Sequence, residues 1–167
     1  VDPLITTISF SDSAMITGDT PTLTIVFSEA VLAFANADVT APAGTLSTLA
    51  SSDSITWTGT FTPTAETSDT SNTCDIATSY TDTIGNTGGA GATANYIVDG
   101  VDPLITTISF SDSAMITGDT PTLTIVFSEA VDAFASGDDV TCATGSLATM
   151  TTSDDITWVG TFTPTIN

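Results

Sequence analysis

Val1–Val31 reads VDPLITTISFSDSAMITGDTPTLTIVFSEAV, and Val101–Val131 repeats it without a change. Identity over 31 residues at a spacing of 100 makes the chain a tandem array of one module. Within the stretch, Thr22–Phe27 alternates, with Leu23, Ile25 and Phe27 to one side and Thr22, Thr24 and Val26 to the other. Alternation of period two is the signature of a strand with one buried face. Pro3–Phe10 reads as the preceding strand, with Ile8 and Phe10 inward. Ser11–Thr20 reads as the loop between them, turning at Gly18-Asp19.

Beyond the repeat, Val31–Phe34, Ala37–Thr40 and Thr45–Leu49 read as short strands, the last two parted by the turn Ala41–Gly44. Ile55–Thr62 is the second strong strand, with Ile55, Trp57 and Phe61 on one face and Pro63 ending it. Ala65–Thr73 is a polar loop. Cys74–Thr78 and Asn95–Val98 are the last strands, joined through the Gly-, Thr- and Asn-rich Tyr80–Gly91. No segment has the 3.6-residue periodicity of a helix. About seven short strands per roughly 100 residues predict an all-β fold of tandem immunoglobulin-like antiparallel β-sandwiches.

The first module covers residues 1–99 and the second 100–167. One insertion near Asp138-Asp139 shifts the offset to 101, so Gly44 matches Gly145, Trp57 matches Trp158 and Phe61 matches Phe162. Asn167 aligns with Glu66, and the second module lacks its last strands, the counterparts of Thr67–Asp99. A sandwich without those strands presents an apolar groove and open sheet edges. Two arrangements accommodate this. The chain is a window on a longer array, or another copy supplies the missing strands and builds a head-to-tail filament.

Composition narrows the function. The chain has 20 acidic residues, no Lys, Arg or His, a net charge of −20 and 41% hydrophobic residues. Nucleic acid is excluded as a partner, because its phosphates are met by Lys and Arg. Anionic membrane surfaces are repelled, and no apolar run is long enough for membrane insertion. No basic and apolar leader pattern is present in this stretch. Without His, Lys or Arg there is no Ser-His pair, Schiff base or phosphate clamp. Glycoside hydrolysis needs two carboxylates facing one cleft, whereas these acids sit mostly in turns, so the chain reads as no enzyme.

The cation that offsets such a charge comes from solvent, and Ca²⁺ is the natural candidate. The site residues are Asp99 and Asp102, flanking Gly100 at the junction, with Asp82 and Asn86 of the TDTIGN loop. The alternative is that these residues form turns for backbone reasons. Asp12, Asp19, Asp69 and Glu29 read as solvated loop acids. Cys74 lies on a late strand, and Cys142 aligns with Ala41, so neither has a partner in its own module. Free thiols, a bridge between modules and a bridge between chains all stay open. Trp57 and Trp158 read as core residues, with a sugar-stacking platform as the alternative.

The ordered set TPTLTIVFSEAV, Asn36-Ala37-Asp38-Val39, Gly44-Thr45-Leu46-Ser47, SSDSITWTGTFTPTAE, TDTIGN and NYIVD resembles the bacterial immunoglobulin-like repeats of large secreted surface adhesins and biofilm proteins. The resemblance spans the first module and all that is present of the second. It implies an extracellular, cell-surface spacer and assembly unit that extends or displays a binding tip, stiffened by Ca²⁺ between repeats. A filament subunit completed by neighbouring copies and a Ca²⁺-dependent carbohydrate-binding module are the alternatives.

Overall fold

In the computed structural model, which describes residues 1–134 and 137–165, the alternating stretch Thr22–Phe27 is an inner strand of its sheet. The chain divides into two compact units, Val1–Val101 and Asp102–Asn167. Unit 1 contains β1 (Ile5–Phe10), β2 (Ala14–Ile16), β3 (Thr22–Phe27), β4 (Val31–Leu32), β5 (Val39–Thr40) and β6 (Gly44–Leu46). It continues with β7 (Thr56–Pro63), β8 (Ser68–Asn72), β9 (Asp75–Ile76), β10 (Thr81–Asp82), β11 (Gly91–Ala92) and β12 (Tyr96–Asp99).

One layer is the antiparallel sheet β1-β3-β7-β6. Leu23, Ile25 and Phe27 point from β3 into the core, as the alternation predicts. The rest of the sandwich is built from smaller pieces, β2-β12-β8, β11-β9-β5 and β10-β4. Met15, Val31, Ile76, Tyr96 and Val98 from these pieces, with Cys74 and Tyr80 just before β9 and β10, share one core with Phe27, Phe34 and Phe61. Burying each such side chain contributes about 1.5–3 kcal/mol.

Several expectations change. Ala14–Ile16, inside the expected loop, is a strand because β12 runs parallel beside it, and Met15 is fully buried there. Ser68–Asn72, inside the expected polar loop, is β8. Its sequence SDTSN has no apolar alternation; pairing with β12 and the buried, hydrogen-bonded Asn72 hold it extended. Ala37–Thr40 is a 3-10 turn, Asn36–Asp38, followed by the two-residue β5. Cys74–Thr78 contracts to β9.

Unit 2 repeats the first layer. Its strands β13 (Ile105–Phe110), β14 (Thr122–Phe127), β15 (Gly145–Leu147) and β16 (Thr157–Pro164) stand in the order β13-β14-β16-β15. The register of unit 1 recurs, down to the irregularity after Ile105. Its core is Leu123, Ile125 and Met150, with Phe127, Phe134, Val140, Leu147 and Trp158 packed against it. Among the described residues all four strands belong to this one sheet. Ala114–Ile116 is identical to β2 yet forms no strand, and among the described residues none pairs with it as β12 pairs with β2 in unit 1.

Candidate functional site

A chain without cationic side chains must satisfy its carboxylates another way, and here backbone amides do it. Asp12 accepts from the amide of Ala14, Asp19 from Ile16 and Asp69 from Ser71, each closing a short turn. Asp53 Oδ1 accepts from the amides of Ile55 at 2.9 Å and Thr56 at 2.8 Å, and from the Ser51 hydroxyl at 3.1 Å. Asp154 repeats this in unit 2 with Thr157, Ile156 and Thr152.

These bonds favour the charged form. The Thr56 amide, then that of Ile55, holds Asp53 below the ordinary carboxylate value of 3.8, and Thr157 does the same for Asp154. A carboxyl whose folded value is depressed stabilises the fold above its unfolded value. That contribution is lost as the pH falls through the folded value. An NMR titration is therefore expected to give midpoints below 3.8 for both carboxyls, with the Thr56 and Thr157 amides losing exchange protection on further acidification. Midpoints at or above 3.8 would contradict the assignment.

Asp82 and Asn86 of the predicted metal set do come together. Asp82, 1% exposed, accepts from the amides of Ile84 and Asn86 through Oδ1, at 2.9 and 2.8 Å. The Asn86 side chain donates to Oδ2 at 2.6 Å. Burial pushes this carboxyl up, but the bonds from Asn86 and Ile84 outweigh it and leave it below the ordinary value. The pair organises its own loop, with Gly85 at φ +96° completing the turn. Asp99 ends β12 in unit 1, paired with Ser68 and Ile16, whereas Asp102 opens unit 2. Calcium takes six to eight oxygens. Among the described residues no three acidic or cysteine side chains are grouped to hold a metal ion.

The sequence reading missed Asp38. It is buried, accepts from the amide of Ala35 and the hydroxyl of Ser79, and its carbonyl takes the amide of Ala77. The N-A-D-V motif was visible, but Ser79 and Ala77, which tie it to the next loop, lie some 40 residues away and carry no pattern of their own.

Cys74 and Cys142 are both free thiols. Cys74 is fully buried, and burial together with the charge of Asp75 pushes it up to about 12. Thiolates, not thiols, react. At mildly alkaline pH, Ellman's reagent is expected to titrate Cys142 first. Cys74 should react roughly a thousandfold more slowly than an ordinary thiol until unit 1 is unfolded. Two equivalents released together would contradict this burial.

Two tyrosines bind the layers of unit 1. Tyr80 packs on Phe27 and Phe34, with ring centroids at 4.9 and 5.6 Å. Tyr96 packs on Phe10 and Phe61, at 5.0 and 5.7 Å. Their hydroxyls donate to the carbonyls of Gly89 and Pro42. Trp57 stands edge-on to Phe34 at 5.3 Å with its Nε1 buried, the posture of a packing residue.

Depressions on the surface are open, and the one lined by Thr151, Thr152, Ser153, Asp154, Thr157 and Val159 holds a single carboxylate, that of Asp154. One of about 470 Å³ is lined by Ala50, Ser51, Ser52, Thr56 and Thr58. No helix is long and apolar enough to cross a membrane among the described residues. The mechanical geometry is more informative. β2, near the start of unit 1, pairs in parallel with β12 at its end, with Ala14 opposite Ile97, Met15 opposite Val98 and Ile16 opposite Asp99.

No curated protein and no solved structure matches this chain. The family model of the bacterial Ig-like domain matches it twice, over residues 2–98 and 99–167, so the two units whose sheets share one register are two copies of one domain. Domains of this kind are in general non-catalytic structural repeats. The chain belongs to the bacterial Ig-like domain family.

Proposed function

We propose that the chain is an extracellular spacer, a stretch of tandem repeats in a bacterial surface adhesin that carries tension and sets reach. The observation that supports this reading most is the parallel β2–β12 pair. Tension on the two ends of unit 1 draws these strands past each other, so their backbone hydrogen bonds are loaded together rather than one at a time. An antiparallel terminal hairpin would unzip bond by bond instead. Trp57, packed against Phe34, gives no support to a sugar platform.

Force spectroscopy on the full chain tests the proposal. One resolved rupture with a length gain of roughly 30 nm is expected, from about 3.3–3.6 Å per residue released in unit 1. Ile97→Pro removes the amide that donates to Ser13 at 2.8 Å, and the rupture force should fall well below that of the parent. An unchanged force would remove β2–β12 as the clamp. Calcium enters the proposal through Asp99 and Asp102, and the same traces in EGTA and in millimolar Ca²⁺ decide it. Superimposable traces would take the metal out.

A further inference from the structure

We propose that Asp12 and Asp19 form an autoinhibitory contact on the outer edge of β2, where they occupy the two backbone amides by which the same edge of a second copy would add to it. This goes beyond the spacer reading and stands on separate observations. β2 is an outer strand of its sheet, with β12 on one side only. The Ile97 amide donates to the Ser13 carbonyl, so residues 13 and 15 turn their backbone polar groups toward β12. Those groups alternate along a strand, and the amides and carbonyls of Ala14 and Ile16 therefore point away from the sheet. Both residues are exposed, Ile16 at 58%. An exposed edge of this kind is a template for pairing with another chain.

The edge is closed from within its own loop. Asp12 Oδ1 accepts from the Ala14 amide at 2.9 Å, and Asp19 Oδ2 accepts from the Ile16 amide at 2.8 Å. The Asp19 amide donates in turn to the Ile16 carbonyl at 3.2 Å. Three of the four outward backbone groups of Ala14 and Ile16 are thereby held, in a loop that turns through Gly18 at φ +96°. In unit 2, Asp112 takes the Ala114 amide at 2.8 Å and Asp119 takes the Ile116 amide at 2.7 Å, although that segment is no strand. The two caps are thus set by the local sequence and form without a pairing partner. Asn36 closes β6, another outer strand, in a related way. It donates to the carbonyls of Leu46 and Ser47 and accepts from the Leu49 amide.

A chain built from copies of one module needs such a device. Lysine, a common means of blunting an edge, is absent from this sequence. Identity of residues 1–31 and 101–131 writes the same edge twice into one chain, and linked copies meet at millimolar effective concentrations. Freed of its caps, the edge pairs with itself about a two-fold axis, Ala14 lying antiparallel to Ile16 of the other copy. A two-fold contact closes on itself and ends at a dimer. Against the capped edge, an incoming strand must first displace both carboxylates, and it carries two carboxylates of its own toward them.

Sedimentation equilibrium of the full chain at millimolar concentration tests this, in about 1 M NaCl, which confines charge repulsion to about 3 Å. Asp12→Ala with Asp19→Ala is expected to raise the weight-average mass toward about twice that of the parent. Asp12→Asn with Asp19→Asn keeps an acceptor oxygen at each place and removes the charge, and its mass should stay at the parent's. Adding Ala14→Pro to the alanine pair deletes a freed amide that plays no part in the β12 ladder, and should return the mass to the parent's. Asp12→Ala alone leaves the turn at Gly18-Asp19 intact and should associate by the same route. It replaces the double variant if that one loses the unit 1 melting transition, reported by Trp57 in a Trp158→Phe background. Alanine variants that sediment as the parent does overturn the proposal. So does association of the asparagine pair equal to that of the alanine pair, which would make charge the guard. Association that survives Ala14→Pro would put the contact elsewhere and overturn it as well.

Discussion

Phe27→Ala is expected to cost unit 1 about 3–5 kcal/mol, the range for removing a buried phenylalanine from a close-packed core. Phe27 is 2% exposed and enclosed by Phe34 and Tyr80. For a domain near 100 residues this lowers Tm by about 15–30 °C. The repeat supplies its own control. Phe127 has the same sequence on both sides, but it packs on Phe134 without a tyrosine above it and is only partly buried. Phe127→Ala should cost less than half as much. Each unit holds one tryptophan, so Trp158→Phe leaves Trp57 to report unit 1, and Trp57→Phe leaves Trp158 to report unit 2. Equal losses from the two substitutions would mean that the second layer adds nothing to the packing at this position.

Gly44→Ala is expected to be nearly as damaging, at about 3 kcal/mol. A Cβ there would lie 2.2 Å from Phe61 Cζ and 2.6 Å from the Thr62 carbonyl oxygen. The ring cannot retreat, because Phe61 is fully buried between Phe10 and Tyr96. The carbonyl cannot retreat without disturbing β7, which pairs with β6 at this point. Gly145 meets Phe162 and the Thr163 carbonyl in the same way, at 2.2 and 2.5 Å. Both substitutions, followed by denaturant unfolding, should shift the midpoint of their own unit and leave the other in place. A shift of under 1 kcal/mol for Gly44→Ala would show that β6 is free to move away from β7.

The two glycines illustrate what can be read without coordinates. Their correspondence, Gly44 in AGTL and Gly145 in TGSL, was plain in the sequence, but the aromatic ring each one admits was not. The same contrast runs through the acidic residues. Asp53 and Asp82 were legible as turn formers, since Ser-Ser-Asp-Ser and Thr-Asp-Thr-Ile-Gly-Asn are turn sequences. The structure then showed their carboxylates engaged by Thr56, Ile55 and Asn86. Asp38 stayed hidden because its partner Ser79 comes from a different loop.

Sequence alone determined the front layer of each unit. Alternation in Thr22–Phe27 and in Ile55–Thr62 encodes strands with one buried face, a local property that survives in both units. It also determined the modularity, through the identity of residues 1–31 and 101–131. Only the tertiary structure decided the back layer. Ala14–Ile16 and Ala114–Ile116 are the same three residues in the same local context, yet one is a strand with a buried methionine and the other is not. Backbone donors and acceptors in so short a stretch gain order only from a neighbour that pairs with them. β12 supplies that neighbour in unit 1, about 80 residues away along the chain, and among the described residues Ala114–Ile116 has no such pairing.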